Sequence, residues 1–97
     1  MRIMISQPMK NKSSERIRRE RQQLVEELQK QGHYVIDTIF TEEAPKDCDE
    51  SIYYLAKSIE AIGKVDAVIF MPDWENARGC RIEHQVAADY EKFIKEL

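Results

Sequence analysis

The chain has 97 residues, of which 42% are hydrophobic and 34% are charged, and its formal net charge is −3. This length suits one small folded domain, and the composition is too apolar for a disordered chain. The small negative charge gives no general attraction to nucleic acid or acidic lipid, and no apolar run could span a bilayer. We therefore expect a single domain over residues 1–97, with neither a nucleic acid polymer nor a membrane as its partner.

Cysteine usage suggests a location. The only cysteines, Cys48 and Cys80, fit a reducing compartment better than a disulfide framework. No signal-peptide pattern opens the sequence, so the expected location is cytoplasmic. The cysteines and the two histidines, His33 and His84, lack the spacing of a known metal site. Neither a metal nor another cofactor is expected.

A short strand and a long helix are predicted first. Arg2–Ser6 is an apolar run typical of a buried parallel strand, and Pro8 closes it because proline cannot donate to a central ladder. Good helix formers fill the segment from Glu15 to Gln31, and Gly32 is a helix stop. The helix has two N-cap candidates and one apolar stripe, which are Ser13 and Ser14, then Ile17, Leu24, Val25 and Leu28.

The middle of the chain predicts a strand, a loop and a second helix. His33–Asp37 is rich in β-branched and aromatic residues, as strands are. Thr38–Asp49 is acidic and without periodicity, which favours a loop. The second helix begins at Asp49 or Ser51 and ends at Gly63. Its apolar residues recur at helical spacing: Ile52, Leu55, Ala56, Ile59 and Ile62.

The last third predicts a buried strand, a polar loop and a terminal helix. Ala67–Met71 is the strand, and Asp73–Gly79 is the loop, which contains the only tryptophan. The apolar residues that follow fall on one helical face: Ile82, Val86, Tyr90, Phe93, Ile94 and Leu97. Because this stripe continues to residue 97, we expect helix to the last residue and no fourth strand.

Alternation of strands and helices predicts an α/β fold, a three-layer flavodoxin-like or Rossmann-like parallel sheet with helices on both faces. The predicted strand order is 2-1-3, so strand two is added on one side of strand one and strand three on the other. The direction of winding therefore reverses between strands one and three. Ligands bind at such a switch point, beyond the carboxyl ends of the strands, where Ser6–Met9 and Met71–Gly79 would meet. Three strands leave two open edges and a small core, so a homo-oligomer, dimer or higher, is also expected.

Glu83 is the leading catalytic candidate. It lies early in the last helix, at the margin of the apolar face and beside the predicted crevice. A carboxylate there could attack an electrophilic sugar carbon, as in retaining glycosyl transfer. The alternative is an acid near a helix N-terminus that the helix dipole stabilises.

The loop before Glu83 supplies candidate ligand contacts. Asp73 and Glu75 could hold sugar hydroxyls or act as acid or base groups, or they are solvated loop acids. Trp74 could stack on a base or ribose, or it covers the sheet end or an oligomer contact. Arg78 and Arg81 flank Gly79 and could clamp a phosphate, or they are surface charges.

Three segments together resemble a known family. Ile3–Met9, Asp66–Phe70 and Trp74–His84 resemble domain of unknown function 4406, a small family of bacteria and their phages. That family looks like a branch of the nucleoside 2-deoxyribosyltransferase superfamily. The resemblance covers essentially the whole chain, and the Trp74–His84 run is highly specific for the small family. The tie to the transferases rests on topology and a few positions.

The resemblance implies a function. In the transferases, a glycine-rich turn precedes a helix whose early glutamate attacks the sugar and passes it to a second base or to water. Gly79 matches that turn and Glu83 matches that nucleophile. The implied partner is a nucleoside or nucleotide. The expected substrate-binding residues are Ser6, Gln7, Pro8, Asp73, Trp74, Asn76, Arg78, Gly79 and Arg81.

The chain also departs from the transferase pattern. Met4–Pro8 keeps the proline of the first turn but lacks the aromatic residue that steers the nucleophile. Ser58 stands where the transferases place the acid that protonates the leaving base, so Ser58 and Asp73 are the possible acid or base groups. Ala77 stands near the sugar-binding position, with Asn76 and Asp73 as possible substitutes.

Three hypotheses therefore stay open. The first is a nucleoside or nucleotide N-glycosidase or deoxyribosyltransferase-like enzyme. The second is a non-catalytic module that binds a nucleotide in the same pocket. The third is a protein-interaction domain that uses the Thr41–Glu50 loop and Trp74.

Overall fold

A computed structural model describes all 97 residues and contains one four-stranded, all-parallel sheet in the order β2-β1-β3-β4. The predicted α/β class and the order 2-1-3 are confirmed, with a fourth strand added beside β3. No helix is both long enough and apolar enough to cross a membrane. The elements are β1 Arg2–Ser6, α1 Ser14–Lys30, β2 Tyr34–Ile36, α2 Glu50–Ile62, β3 Ala67–Phe70, a 3₁₀ turn Trp74–Asn76, α3 Arg78–Asp89 and β4 Phe93–Glu96.

Local side-chain chemistry sets the helix ends. The Ser13 hydroxyl accepts a hydrogen bond from the Arg16 backbone N–H at 3.1 Å and caps α1. Asp49 caps α2 in the same way, through the backbone N–H of Ile52 at 3.1 Å. Gly32, with φ of 86°, follows the end of α1 and adopts the left-handed conformation that favours glycine.

The expectation of helix to the last residue is wrong. Helix α3 ends at Asp89, Glu91 adopts a left-handed φ of 58°, and the chain then becomes β4. The Phe93 N–H donates to Asp66 O at 3.1 Å, and the Leu97 N–H donates to Phe70 O at 2.9 Å. The helical spacing was misleading because pairing with the otherwise open edge of β3 satisfies backbone groups that a further helical turn would leave exposed.

Successive residues of the central strands face opposite helical layers. Ile3 and Ile5 pack with Leu28 on the α1 face, whereas Met4 packs with Ile62 and Ala87 on the face of α2 and α3. The same alternation at the end of β1 places Ser6 on the α3 side and Gln7 on the α1 side.

The site edge of the sheet lies where β1 and β3 end together. Ser6 pairs with Phe70 in the parallel register, and the Met71 N–H donates to Ser6 O at 2.9 Å. Beyond this pair the segment after β1 leads to α1 and the segment after β3 leads to α3, so the two segments separate. The two loops that the sequence predicts at the switch point do begin side by side.

Candidate functional site

Glu83 lies inside the protein, against the end of β1. Its side chain is 8% exposed, and its Oε2 accepts a 2.8 Å hydrogen bond from the Ser6 hydroxyl, which is itself 2% exposed. No cation lies within ion-pair distance of the Glu83 carboxylate. A buried carboxylate held by hydroxyls and not by a salt bridge is unusual for a purely structural acid.

Opposing effects act on the protonation of Glu83. Burial raises the pKa of this carboxyl above its ordinary value, while the hydroxyls of Ser6 and Ser58 and the charge of Arg21 act in the opposite direction. Cys80, 4% exposed, lies beside Ser6 and Glu83, and burial raises the pKa of its thiol. The structure thus brings together Glu83, Ser6 and Ser58, which the sequence analysis placed in one site, and adds Cys80.

A second buried polar group lies on the α1 side of the same sheet edge. Arg21 is 5% exposed; its Nε donates to Gln7 Oε1 at 2.8 Å and its Nη1 donates to Thr38 Oγ1 at 3.3 Å. The Gln7 amide donates in turn to the carbonyl of Ile17 at 3.0 Å. Arg21 Nη2 is buried without a hydrogen-bond partner, which leaves one spare donor in the network.

A hollow of about 350 Å³ opens between the loop after β1 and the loop after β3. A concave surface therefore lies at the predicted switch point, but Glu83 is not among the residues of its wall. The residues that form the wall are Pro8, Lys12, Arg16, Glu20, Met71, Pro72 and Asp73. Two predicted site residues, Pro8 and Asp73, therefore contribute to the hollow, and Ser6 and Gln7 lie directly before it.

Trp74 is occupied by contacts within the chain. Its indole stacks on the His84 imidazole with ring centroids 4.2 Å apart and planes 5° apart, and it also contacts the Phe70 ring at 5.4 Å. His84 Nε2 is in turn 2.8 Å from Glu96 Oε2 of β4. One face of Trp74 is thus covered by His84, and the stack connects the 3₁₀ turn, α3 and β4.

The remaining predicted site residues lie around the start of α3. The predicted loop was too long by two residues, because the helix begins at Arg78 and Gly79 is in its first turn. Arg78 and Asn76 are exposed, and the exposed Arg81 donates to the carbonyl of Glu75 at 2.9 Å. A Cβ at Gly79 would meet no atom within 4 Å, so open space lies beside it.

Four residues near this sheet edge were not predicted from the sequence: Arg21, Lys12, Arg16 and Glu20. Arg21 could have been found, because Ile17, Arg21, Leu24 and Leu28 follow the helical spacing of a core-facing stripe and only Arg21 is charged. The other three look like an ordinary charged helix surface, and only the fold shows that they face the end of β3.

The protein is of the α/β class, with a flavodoxin-like or Rossmann-like parallel sheet. A buried acid and a hollow lie at the switch point of this sheet. The chain matches the family described as Domain of unknown function (DUF4406) over residues 1–96, and it belongs to that family. A comparison with curated proteins finds no match.

Proposed function

We propose that the protein is a nucleoside or nucleotide N-glycosidase of the deoxyribosyltransferase-like kind, with Glu83 as the nucleophile. The observation that carries the proposal is the buried Glu83 carboxylate, bonded to Ser6 at the carboxyl end of β1 and free of any ion pair. Desolvation makes such a carboxylate a stronger nucleophile than one in water. The resemblance of Gly79 and Glu83 to the glycine turn and the nucleophile of the transferases supports the same role.

The proposed reaction has two displacements. A Glu83 oxygen attacks C1′ of the sugar, the bond between C1′ and the base nitrogen breaks, and the base leaves with the electron pair. The base takes up one proton, from Asp73 or from water. Water then attacks C1′ of the glycosyl ester, gives one proton to the ionised Asp73 or to solvent, and releases the sugar and the Glu83 carboxylate. A second base that attacks in place of water, and loses its N–H proton in the same way, gives transfer.

Ser6 and Arg21 have supporting roles in this proposal. The Ser6 hydrogen bond fixes one carboxylate oxygen of Glu83, and it favours the ionised form that attack requires. The positive charge of Arg21 acts in the same direction from the other side of the sheet edge.

The test is whether the purified protein releases the base from a panel of nucleosides and nucleoside 5′-monophosphates, with the free base measured by chromatography. Wild type is compared with Glu83→Gln, and with Glu43→Gln as a control that removes one exposed carboxylate elsewhere. We expect release by wild type and by the control, with a loss of at least about a hundredfold in Glu83→Gln. Equal release by wild type and Glu83→Gln would remove the catalytic proposal.

One observation favours a second candidate, a module that binds a nucleotide without cleaving it. Ser58, and not a carboxylic acid, is the side chain beside Glu83 from α2, so this position offers no strong acid for the leaving base. In that case the ligand stabilises the fold in thermal denaturation while no base is released. Ligand at a hundredfold excess over Kd would add about 2.7 kcal/mol to the free energy of unfolding.

A further inference from the structure

The wall of the hollow contains a compact group of charged side chains. Lys12 Nζ lies 3.0 Å from Glu20 Oε2, and Arg16 Nε lies 2.8 Å from Glu20 Oε1. The Gln7 amide also donates to Glu20 Oε2, at 3.3 Å. Two cations and one amide therefore converge on a single carboxylate.

This arrangement is the one that proteins use to hold an anionic group. Charge-assisted donors from Lys and Arg, with an amide beside them, match the oxygens of a carboxylate or a phosphate equally well. Bonds to Lys12 and Arg16 lower the pKa of Glu20 to about 2, so its carboxylate stays charged and bound to them at neutral pH. Glu20 thus occupies the place that a ligand anion would take.

The net charge of the hollow limits how an anionic ligand could enter. Lys12 and Arg16 provide two positive charges on the wall, and Glu20 and Asp73 provide two negative ones, so the hollow is neutral as it stands. A phosphate dianion would gain little there while Glu20 stays in place. The Glu20 side chain is 30% exposed, so it can turn into solvent and leave both cations to an incoming anion.

The hollow also begins directly after the end of β1 that holds the proposed nucleophile. Ser6 holds Glu83, Gln7 bonds Glu20, and Pro8 forms part of the wall. Three consecutive residues span at most about 7 Å between the first and last Cα atoms. The Glu83 carboxylate and the hollow thus lie on the two sides of the same end of β1. A nucleotide that lies across this sheet edge, with its sugar on the Glu83 side, would direct a phosphate on its 5′ carbon toward the hollow.

We propose that Lys12 and Arg16 form a phosphate subsite in this hollow, that Glu20 is its built-in competitor, and that the ligand is a nucleoside 5′-monophosphate and not a free nucleoside. The inference rests on the proposed function for the position of the sugar. It differs from the sequence-based expectation, which assigned the phosphate to Arg78 or Arg81.

The test is calorimetric titration of the full chain carrying Glu83→Gln, so that turnover does not consume the ligand. The probes are inorganic phosphate, the common nucleosides and their 5′-monophosphates. We expect at least one monophosphate to bind about tenfold or more tightly than its nucleoside, a difference typical of charge-assisted hydrogen bonds. Inorganic phosphate should bind weakly and should compete with that monophosphate.

Three further substitutions separate a ligand site from a structural salt bridge. Arg16→Gln and Lys12→Ala should each remove most of the advantage of the monophosphate, whereas Glu20→Gln should tighten its binding several-fold by removing the competitor. Glu27→Gln, an exposed acid elsewhere on α1, is the matched control and should change nothing. Arg16 has a largely exposed side chain, so Arg16→Gln tests the proposal even if Lys12→Ala folds poorly.

Weaker phosphate binding in Glu20→Gln, or equal affinity for nucleoside and monophosphate, would overturn the inference. Its failure is distinct from failure of the proposed function. Base release from nucleoside 5′-monophosphates that is insensitive to both Lys12→Ala and Arg16→Gln would leave the glycosidase proposal standing and remove the phosphate subsite. If the substitutions at Lys12, Arg16 and Glu20 change monophosphate binding as expected but wild type releases no base, the phosphate subsite stands and the glycosidase proposal is removed.

Discussion

The Ser6 hydroxyl and the Glu83 carboxylate are joined by a 2.8 Å hydrogen bond across 77 residues of sequence. Alternate residues of a strand face the same side of the sheet, so Ser6, like Met4, faces α3. Ser6 is also the last residue of β1, where the apolar run gives way to polar residues. The buried acid therefore depends on the register of the central strand. A shift of one residue would turn Gln7, and not Ser6, toward Glu83.

Glu83→Gln should change the pH dependence of stability. Burial raises the pKa of Glu83 above its ordinary value of 4.5, so between the unfolded and folded pKa values the native state binds more protons than the unfolded state. The free energy of unfolding of wild type therefore falls as pH rises through this window. We expect Glu83→Gln to be more stable than wild type at neutral pH, with a difference that shrinks below the unfolded pKa. Urea denaturation across pH measures this, and a difference constant with pH would contradict a raised pKa.

Ser6→Ala should shift the protonation equilibrium of Glu83 further toward the protonated form. Loss of the hydroxyl removes a group that favours the ionised carboxylate, so the pKa of Glu83 should rise above that in wild type. At a pH where Glu83 is ionised, the variant should lose about 1.5–3 kcal/mol, as for a hydrogen bond to a charged group. Titration of the Glu83 side-chain carbon by NMR gives the pKa. Ser14→Ala is a control for the loss of an exposed hydroxyl, and an unchanged titration in Ser6→Ala would show that the bond does not act on Glu83.

The fold was predictable from sequence largely because its helix ends and strand runs carry local signals. Ser13 and Asp49 cap their helices through their own side chains, and Arg2–Ser6 is apolar without interruption. The terminal strand carries no such signal. Phe93, Ile94 and Leu97 suit a helix as well as a strand, and only the open edge of β3 decides between the two.

The site was predictable in part for the same reason. Topology and an isolated acid pointed to the same place, and Glu83 and Ser6 do meet there. The role of α1 was not visible, because charges spaced by four residues on a helix usually face water. Arg16 and Glu20 have this spacing, and their position over the end of β3 depends on how α1 crosses the sheet.

Proline at position 93 tests the fourth strand. The Phe93 N–H donates to Asp66 O at 3.1 Å, and the Phe93 side chain is 67% exposed, so the backbone bond matters more than the ring. Phe93→Pro removes that donor and should cost about 1 kcal/mol or more beyond Phe93→Ala, which keeps it. Thermal denaturation compares the two variants. Equal melting temperatures would mean that the segment does not pair with β3.

Gly79→Ala separates stability from ligand contact at the start of α3. Gly79 is in the first turn of α3 with an ordinary helical φ, and a Cβ there would meet nothing within 4 Å. Alanine should therefore raise the free energy of unfolding by about 0.5–1 kcal/mol, because it restricts the unfolded chain and favours helix. If the open space beside Gly79 admits a sugar or base, the same methyl group should weaken ligand binding or slow base release. A variant that is more stable and equally active would show that the ligand does not approach this turn. The control is Ala88→Gly, at an exposed position of the same helix. It should lower the free energy of unfolding and leave ligand binding unchanged.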